Sequence, residues 1–284
     1  MVDNQIFMPM KTFLKKASLI LTLAIIGGCS EQPAENILIR GSNTFGEELA
    51  PRLGDEYARA HPGVRFDFEF KGTPYGLGAL MVDRCDIAAS SRLVNTNDIE
   101  LAKDRNVEFA DHLIGFYSVA VVVNAKNPVA NLTRQQVHDI FTGTVKNWSE
   151  VGGPDAPIKI YIRNPVSGTH LGFQELALNT NAYAMGVKTF IDYATLDHAV
   201  ATDPNGIGYS SFSTSIKIGV KMVSIDNIQP NDQNVQKGTY PYARPLHLYT
   251  NKGKETKAAA DFVDFVTSST GQRILAEMDF VPHP

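Results

Sequence analysis

Strand-like and helix-like apolar patterns alternate along this chain, and the strand-like runs end in short polar clusters. Ile37-Leu38-Ile39 reads as a buried strand that ends in Gly41-Ser42-Asn43-Thr44. Leu49, Leu53 and Tyr57 then recur at i, i+4 and i+8, one face of a helix, until Pro62-Gly63 stops it. Val64, Phe66, Phe68 and Phe70 alternate with Arg65, Asp67 and Glu69, which predicts a strand with one buried face. A turn over Gly72-Thr73-Pro74-Tyr75-Gly76 leads into a short helix to Asp83, and the strand Asp86-Ile87-Ala88-Ala89 ends in Ser90-Ser91-Arg92. The rhythm resumes with the valine-rich run Val119 to Val123, suited to a strand covered on both sides. Thr133 with Gln136 three residues on is a capping-box start for a helix through Ile140. The strand Ile158 to Ile162 runs into Arg163-Asn164-Pro165-Val166-Ser167-Gly168-Thr169 and a helix carrying Phe173, Leu176 and Ala177. Leu246 to Tyr249 is a further strand, and Ala258 to Met278 has apolar residues at helical spacing. Such alternation predicts an α/β fold with mostly parallel sheets, in which ligands sit at the carboxyl ends of strands.

Four polar clusters fall at those ends: Ser42-Asn43-Thr44-Phe45, Gly72-Thr73, Ser90-Ser91-Arg92, and Arg163 with Ser167-Gly168-Thr169. They supply hydroxyls, guanidinium groups and backbone N–H groups, with no His or Cys among them. Helix starts offer unpaired N–H donors and a partial positive charge, and Arg adds a permanent charge with paired donors. Together such groups can enclose a tetrahedral oxyanion. Any one cluster alone reads as an ordinary helix cap or turn; the inference rests on four in one chain, two of them with Arg.

The N-terminus reads as a processing signal. Lys11, Lys15 and Lys16 precede the apolar run Ala17 to Ile26, shorter than the roughly 20 residues a membrane-spanning helix needs. The run ends in Ile26-Gly27-Gly28-Cys29-Ser30, which resembles a bacterial lipobox with Cys29 as the acylated first mature residue. Ser30 in place of Asp favours the outer membrane in a two-membrane bacterium, by resemblance to lipoprotein sorting signals. The net charge of the chain is -4. Removing residues 1–28 deletes three lysines and one aspartate and moves it to -6. Such a chain has no general field for nucleic acid or anionic membrane. With Cys29 acylated, Cys85 has no disulfide partner and reads as a buried small apolar residue.

Catalytic and cofactor signals are weak. Gly76-Leu77-Gly78 lacks the third glycine of a dinucleotide fingerprint, and no run matches a P-loop. The seven His have no zinc spacing. Ser167 and His170 do not form a convincing nucleophile–base pair, so His170 reads as a solvated or capping residue. Trp148 reads as the packing residue of a turn. No cofactor and no enzymatic activity are expected; a phosphoester hydrolase is the enzymatic alternative.

At these residues the chain resembles the PstS-type phosphate-binding proteins of ABC importers, which have the type II periplasmic-binding-protein fold. The markers are Gly41-Ser42-Asn43-Thr44-Phe45, Gly72-Thr73, Asp86 to Arg92, Ile140-Phe141-Thr142-Gly143, Lys146-Asn147-Trp148, Ser167-Gly168-Thr169, Gly206-Ile207-Gly208-Tyr209, and Tyr240 to Leu246. The resemblance implies two α/β lobes joined by two crossing segments, near 118–124 and 243–250. After a signal peptide (1–28) and a tether (29–36), lobe I would take 37–117 with 251–284, and lobe II 118–250. It also implies the site. Thr44 would donate its hydroxyl and Phe45 its backbone N–H. Thr73 would add a hydroxyl, Arg163 the charged clamp, and Ser167, Gly168 and Thr169 donors from a helix start.

One position departs from the family pattern. Where many members carry an Asp that accepts the phosphate proton and repels sulfate, this chain has Ser91, followed by Arg92. Pro74-Tyr75 also replaces residues that are often small, and Tyr75 would either narrow the cleft or pack on the lobe surface. The expected function is a monomeric, lipid-anchored envelope receptor that captures inorganic phosphate and delivers it to an ABC permease. The alternatives are an envelope phosphate sensor or scavenger without a permease, and a receptor for sulfate, molybdate or tungstate.

Overall fold

The computed structural model describes residues 1, 35–46, 49–165, 167–212 and 219–284. The expected signal peptide, Cys29 and most of the tether lie outside the described residues. The chain runs β1 (Glu35–Gly41), α1 (Asn43–Gly46), α2 (Leu49–Ala60), β2 (Val64–Phe70), α3 (Thr73–Met81), β3 (Ile87–Ser90), α4 (Thr96–Lys103) and β4 (Phe109–Ser118). It continues β5 (Ala120–Asn124), β6 (Asn131–Leu132), α5 (Arg134–Thr142), β7 (Lys159–Arg163), α6 (Gly168–Leu178), β8 (Lys188–Phe190), α7 (Tyr193–Thr202), β9 (Gly206–Ser210), β10 (Val220–Met222), β11 (Ser224–Ile225) and α8 (Asp232–Gln236). It closes with β12 (Ala243–Asn251), α9 (Lys257–Thr267), α10 (Ser269–Glu277) and β13 (Val281–Pro282). The last two residues of the expected tether belong to β1, where Glu35 and Asn36 pair with Val64 and Arg65.

Two larger sheets form the two lobes: β13-β4-β12-β3-β1-β2 and β10-β5-β9-β7-β8. Both are mixed rather than mostly parallel. β1 runs parallel to β2 and β3, and β7 parallel to β8 and β9, while β12, β4, β13, β5 and β10 pair antiparallel. The strand–helix–strand rhythm marks only the parallel half. The stretch 243–250, expected as a crossing, is β12 in the middle of the first sheet. Its Leu246 and Leu248 enter the main core and Tyr249 the core beneath α3 and α4, so both faces are covered. Likewise 120–124 lies within the second sheet as β5. Val119 alone joins β4 to β5, and its amide donates at 3.1 Å to the carbonyl of Tyr242, the residue before β12, so the two chain segments lie side by side there.

The helical periods fold as read. α2 buries Leu49, Leu53 and Tyr57, and α5 starts on the Thr133–Gln136 capping box. The stretch 258–278 is not one helix. Ser268 is extended (φ -68°, ψ 166°), ends α9 and caps α10 by accepting from the Gly271 amide.

Two glycines let the site approach the sheet. Gly41 has φ +136°, and a Cβ there would lie 2.0 Å from the Ala89 carbonyl oxygen. Its own carbonyl accepts from the amides of Lys71 and Gly72, which ties the β1 and β2 exits together. A Cβ on Gly76 would stand 2.6 Å from the Gly41 Cα and the Arg40 carbonyl, so only glycine lets α3 sit against the end of β1. Gly76→Val is expected to lower stability by about 1–3 kcal/mol and to weaken anion binding with it, read by denaturant unfolding alongside titration. Unchanged unfolding would mean that α3 is free to shift.

Candidate functional site

β1, β2 and β3 are parallel and end together, at Gly41, Phe70 and Ser90. Their exits line a cavity of about 430 Å³ bounded by Ser42, Asn43, Thr44, Gly72, Thr73, Pro74, Ser91 and Arg92, with Glu175, Leu176 and Arg244 opposite. The expected residues Thr44, Thr73, Ser91 and Arg92 meet here. Thr73 is buried, and its Oγ1 accepts from the Ser91 amide at 3.0 Å and lies 3.5 Å from the Ser90 and Ser91 hydroxyls. This side chain therefore holds two exit loops in register. Phe45 is fully buried and meets Phe70 edge-on at 6.1 Å, so its ring anchors α1 to the core beneath the cavity.

Arg92 lines the cavity but is already engaged. Its guanidinium donates to both Asp98 oxygens, at 2.5 and 3.3 Å, and to the Leu93 carbonyl. The Arg92 bond holds the Asp98 carboxyl below its usual range. Tyr75 packs on the lobe surface, its hydroxyl donating to Glu69 and its ring 5.2 Å from the Lys71 ammonium. It is absent from the described cavity lining.

The second group of expected residues stands elsewhere. Arg163 ends β7, and it lines a separate cavity of about 280 Å³ with Tyr117, Ser118, Thr169, Asp192 and Tyr193. Its Nη2 donates to the Ile191 carbonyl at 3.0 Å, its guanidinium lies 4.7 Å from the Tyr193 ring centroid, and its Nε is buried without a hydrogen-bond partner. Ser167 caps α6 by accepting from the Thr169 amide at 3.2 Å, and α6 begins at Gly168. Thr169 lines the Arg163 cavity, whereas Glu175 and Leu176 on the same helix line the first. α6 thus stands between the two groups. The residues that the sequence reading missed are Glu175 and Arg244. Arg244 lies within the segment Tyr240 to Leu246 that carries the resemblance, but nothing local shows that it reaches the exits of β1 to β3.

His170 is buried rather than solvated. Its Nδ1 lies 3.0 Å from the Arg163 carbonyl and its ring 4.5 Å from Tyr183. Burial pushes its pKa down, against a smaller opposing effect of the Arg163 carbonyl. The fold therefore favours the neutral ring. This costs nothing above the ordinary value of about 6.5, and stability falls as pH drops below that value toward the folded pKa. Melting at pH 7.5 and 5.5 should show a larger acid-induced loss for the wild type than for His170→Gln. Equal losses would place the acid sensitivity elsewhere.

Burial also pushes the Cys85 thiol up to about 12, beside the Gly76 carbonyl, so it is an inert packing residue. Among the described residues no group of three or more His, Cys, Asp or Glu could hold a metal ion. None of the described helices is long and apolar enough to cross a membrane.

The chain is similar to the phosphate-binding protein PstS of Borreliella burgdorferi, 27% identical over 92% of this chain and 95% of that protein. Among solved structures it resembles an ABC-type phosphate transport receptor from Vibrio cholerae (25% identity, TM-score 0.68, 86% of this chain and 99% of that one). It also shares the fold of a possible phosphate binding protein from Planctomyces limnophilus (23% identity, TM-score 0.81, 89% and 94%). The model of the PBP superfamily domain matches residues 29–270, and with its two mixed α/β sheets and paired passages the chain belongs to that superfamily of periplasmic-type binding proteins.

Proposed function

We propose that this protein is an extracytoplasmic receptor that captures inorganic phosphate between its lobes and delivers it to an ABC permease. The observation that carries this reading is the convergence of Thr44, Thr73 and Ser91 at the shared exits of three parallel strands. These exits present hydroxyl and backbone donors around a cavity sized for a small ligand. The named relatives, a phosphate-binding protein and a phosphate transport receptor, support the same ligand and role. In this reading the lobes close about Val119 and Tyr242 by a hinge motion. Closure brings the start of α6, with Ser167, Gly168 and Thr169, and the clamp Arg163 onto an anion seated near Thr44, the Phe45 amide, Thr73, Ser91 and Arg92. The protein is a binding protein without catalysis, needs no cofactor and acts as a monomer.

We further propose that acylated Cys29 anchors it in the envelope, in the outer membrane if the cell has two. Mass measurement of the mature N-terminus and membrane fractionation would check both parts. The first test of function is calorimetric titration of the ligand-stripped protein with phosphate and then sulfate. One-to-one phosphate binding is expected. Failure of a folded sample to bind phosphate would overturn the reading. Because Ser91 accepts but does not repel, a general oxyanion receptor is the second reading, and equal binding of sulfate would favour it.

A further inference from the structure

The cavity that gathers Thr44, Thr73 and Ser91 is bounded opposite by a charged pair, Arg244 and Glu175. β12 runs antiparallel to β3 with His247 opposite Ser90. Arg244, three residues earlier in β12, therefore stands beyond the end of β3, where Ser91 and Arg92 leave the sheet. Its Nη1 donates to Glu175 Oε2 at 2.8 Å and its Nη2 to the Gly172 carbonyl at 3.2 Å, both on α6. The guanidinium lies 5.8 Å from the Tyr117 ring centroid. Arg244 is largely buried, with 14% of its side chain exposed, whereas 52% of the Glu175 side chain is exposed. The arginine is the fixed partner, and it orients a carboxylate that the cavity can still reach.

The charges of the cavity wall cancel in pairs, Arg92 with Asp98 and Arg244 with Glu175. Glu175 is the one carboxylate among the described lining residues; the others are Arg, hydroxyl, amide or apolar groups. At neutral pH phosphate still carries at least one proton, and sulfate carries none. That phosphate O–H needs an acceptor, which backbone N–H and guanidinium groups cannot supply. A hydroxyl such as Ser91 can accept without opposing an unprotonated oxygen. A carboxylate does both, accepting the proton and repelling a bare oxyanion edge. Glu175 spends Oε2 on Arg244, which leaves Oε1 able to accept.

We propose that Glu175, oriented by Arg244, is the residue by which this cavity selects a protonated tetrahedral oxyanion over a fully ionised one. The inference rests on the phosphate reading above and supplies the discriminating acceptor absent at Ser91. The experiment is competition of phosphate and sulfate for the full mature protein, wild type against Glu175→Gln and Glu175→Ala. Both variants should lower the phosphate-to-sulfate affinity ratio about tenfold or more, mainly through a gain in sulfate binding. Glu175 is half exposed, so folding is not at risk, and Ala repeats the measurement without a new amide donor. A pair that merely links β12 to α6 would change both affinities together. An unchanged ratio in both variants, with phosphate still bound, would overturn this inference alone. Failure of the wild type to bind phosphate would overturn it together with the phosphate reading.

Discussion

Arg163→Ala is expected to weaken phosphate binding about a hundredfold or more, equivalent to roughly 3 kcal/mol. The two arginines of the first cavity are tied to carboxylates, Arg92 to Asp98 and Arg244 to Glu175. Arg163 is instead positioned by the Ile191 carbonyl and the Tyr193 face, with the Asp192 carboxylate lining the same cavity. Its Nε is buried without a hydrogen-bond partner, as is the Nε of Arg244, and a bound anion could supply the acceptor. Lobe closure about Val119 would carry this guanidinium toward the exits of β1, β2 and β3. Arg163→Lys should recover only part of the loss, because a point charge cannot reproduce the paired donors of the fork. Calorimetry with both variants checks this. Wild-type affinity in Arg163→Ala would reduce Arg163 to a packing partner of Tyr193 and would leave α6 and the first-lobe exits as the whole site.

Trp148→Ala is expected to lower the unfolding free energy by about 3–5 kcal/mol and the melting temperature by about 10 °C. Trp148 is fully buried, and its Nε1 donates to the Asn205 carbonyl at 3.0 Å. It sits in a single 3-10 turn capped by Asn147 and Glu150, too short to hold its shape without the ring beneath it. Trp148→Phe should keep most of the apolar burial and lose about 1 kcal/mol with the missing hydrogen bond. As the chain has one tryptophan, the native protein should emit at the short wavelengths of a buried indole and shift red on unfolding. Chemical denaturation followed by circular dichroism serves the Ala variant, which has no tryptophan signal. A loss below about 1 kcal/mol would mean that the turn collapses into the space left by the ring.

Short-range patterns were legible where one face of one element decides the outcome. The i, i+4, i+8 spacing of Leu49, Leu53 and Tyr57 is enough to place α2, and the Thr133–Gln136 box starts α5. The break at Ser268 was hidden because apolar spacing continues across it; a Cβ on Gly271 would lie 2.2 Å from the Val266 carbonyl, which shows how tightly the chain folds back there. β4 was not read from the sequence, and the run Val119 to Val123, read as one strand, begins at the residue that passes from β4 into β5.

The amino-acid order by itself placed hydroxyls, amides and arginines at the ends of strand-like runs. Caps, turns and strand ends depend on neighbours a few residues apart, and those are written in the chain. Only the tertiary structure decided which donors share a cavity. β12 enters the first sheet between β3 and β4 from more than a hundred residues away, bringing Arg244 beside Ser91, while α6 divides Glu175 from Arg163. Strand order is set by which buried faces fill one core together, and no local spacing records it.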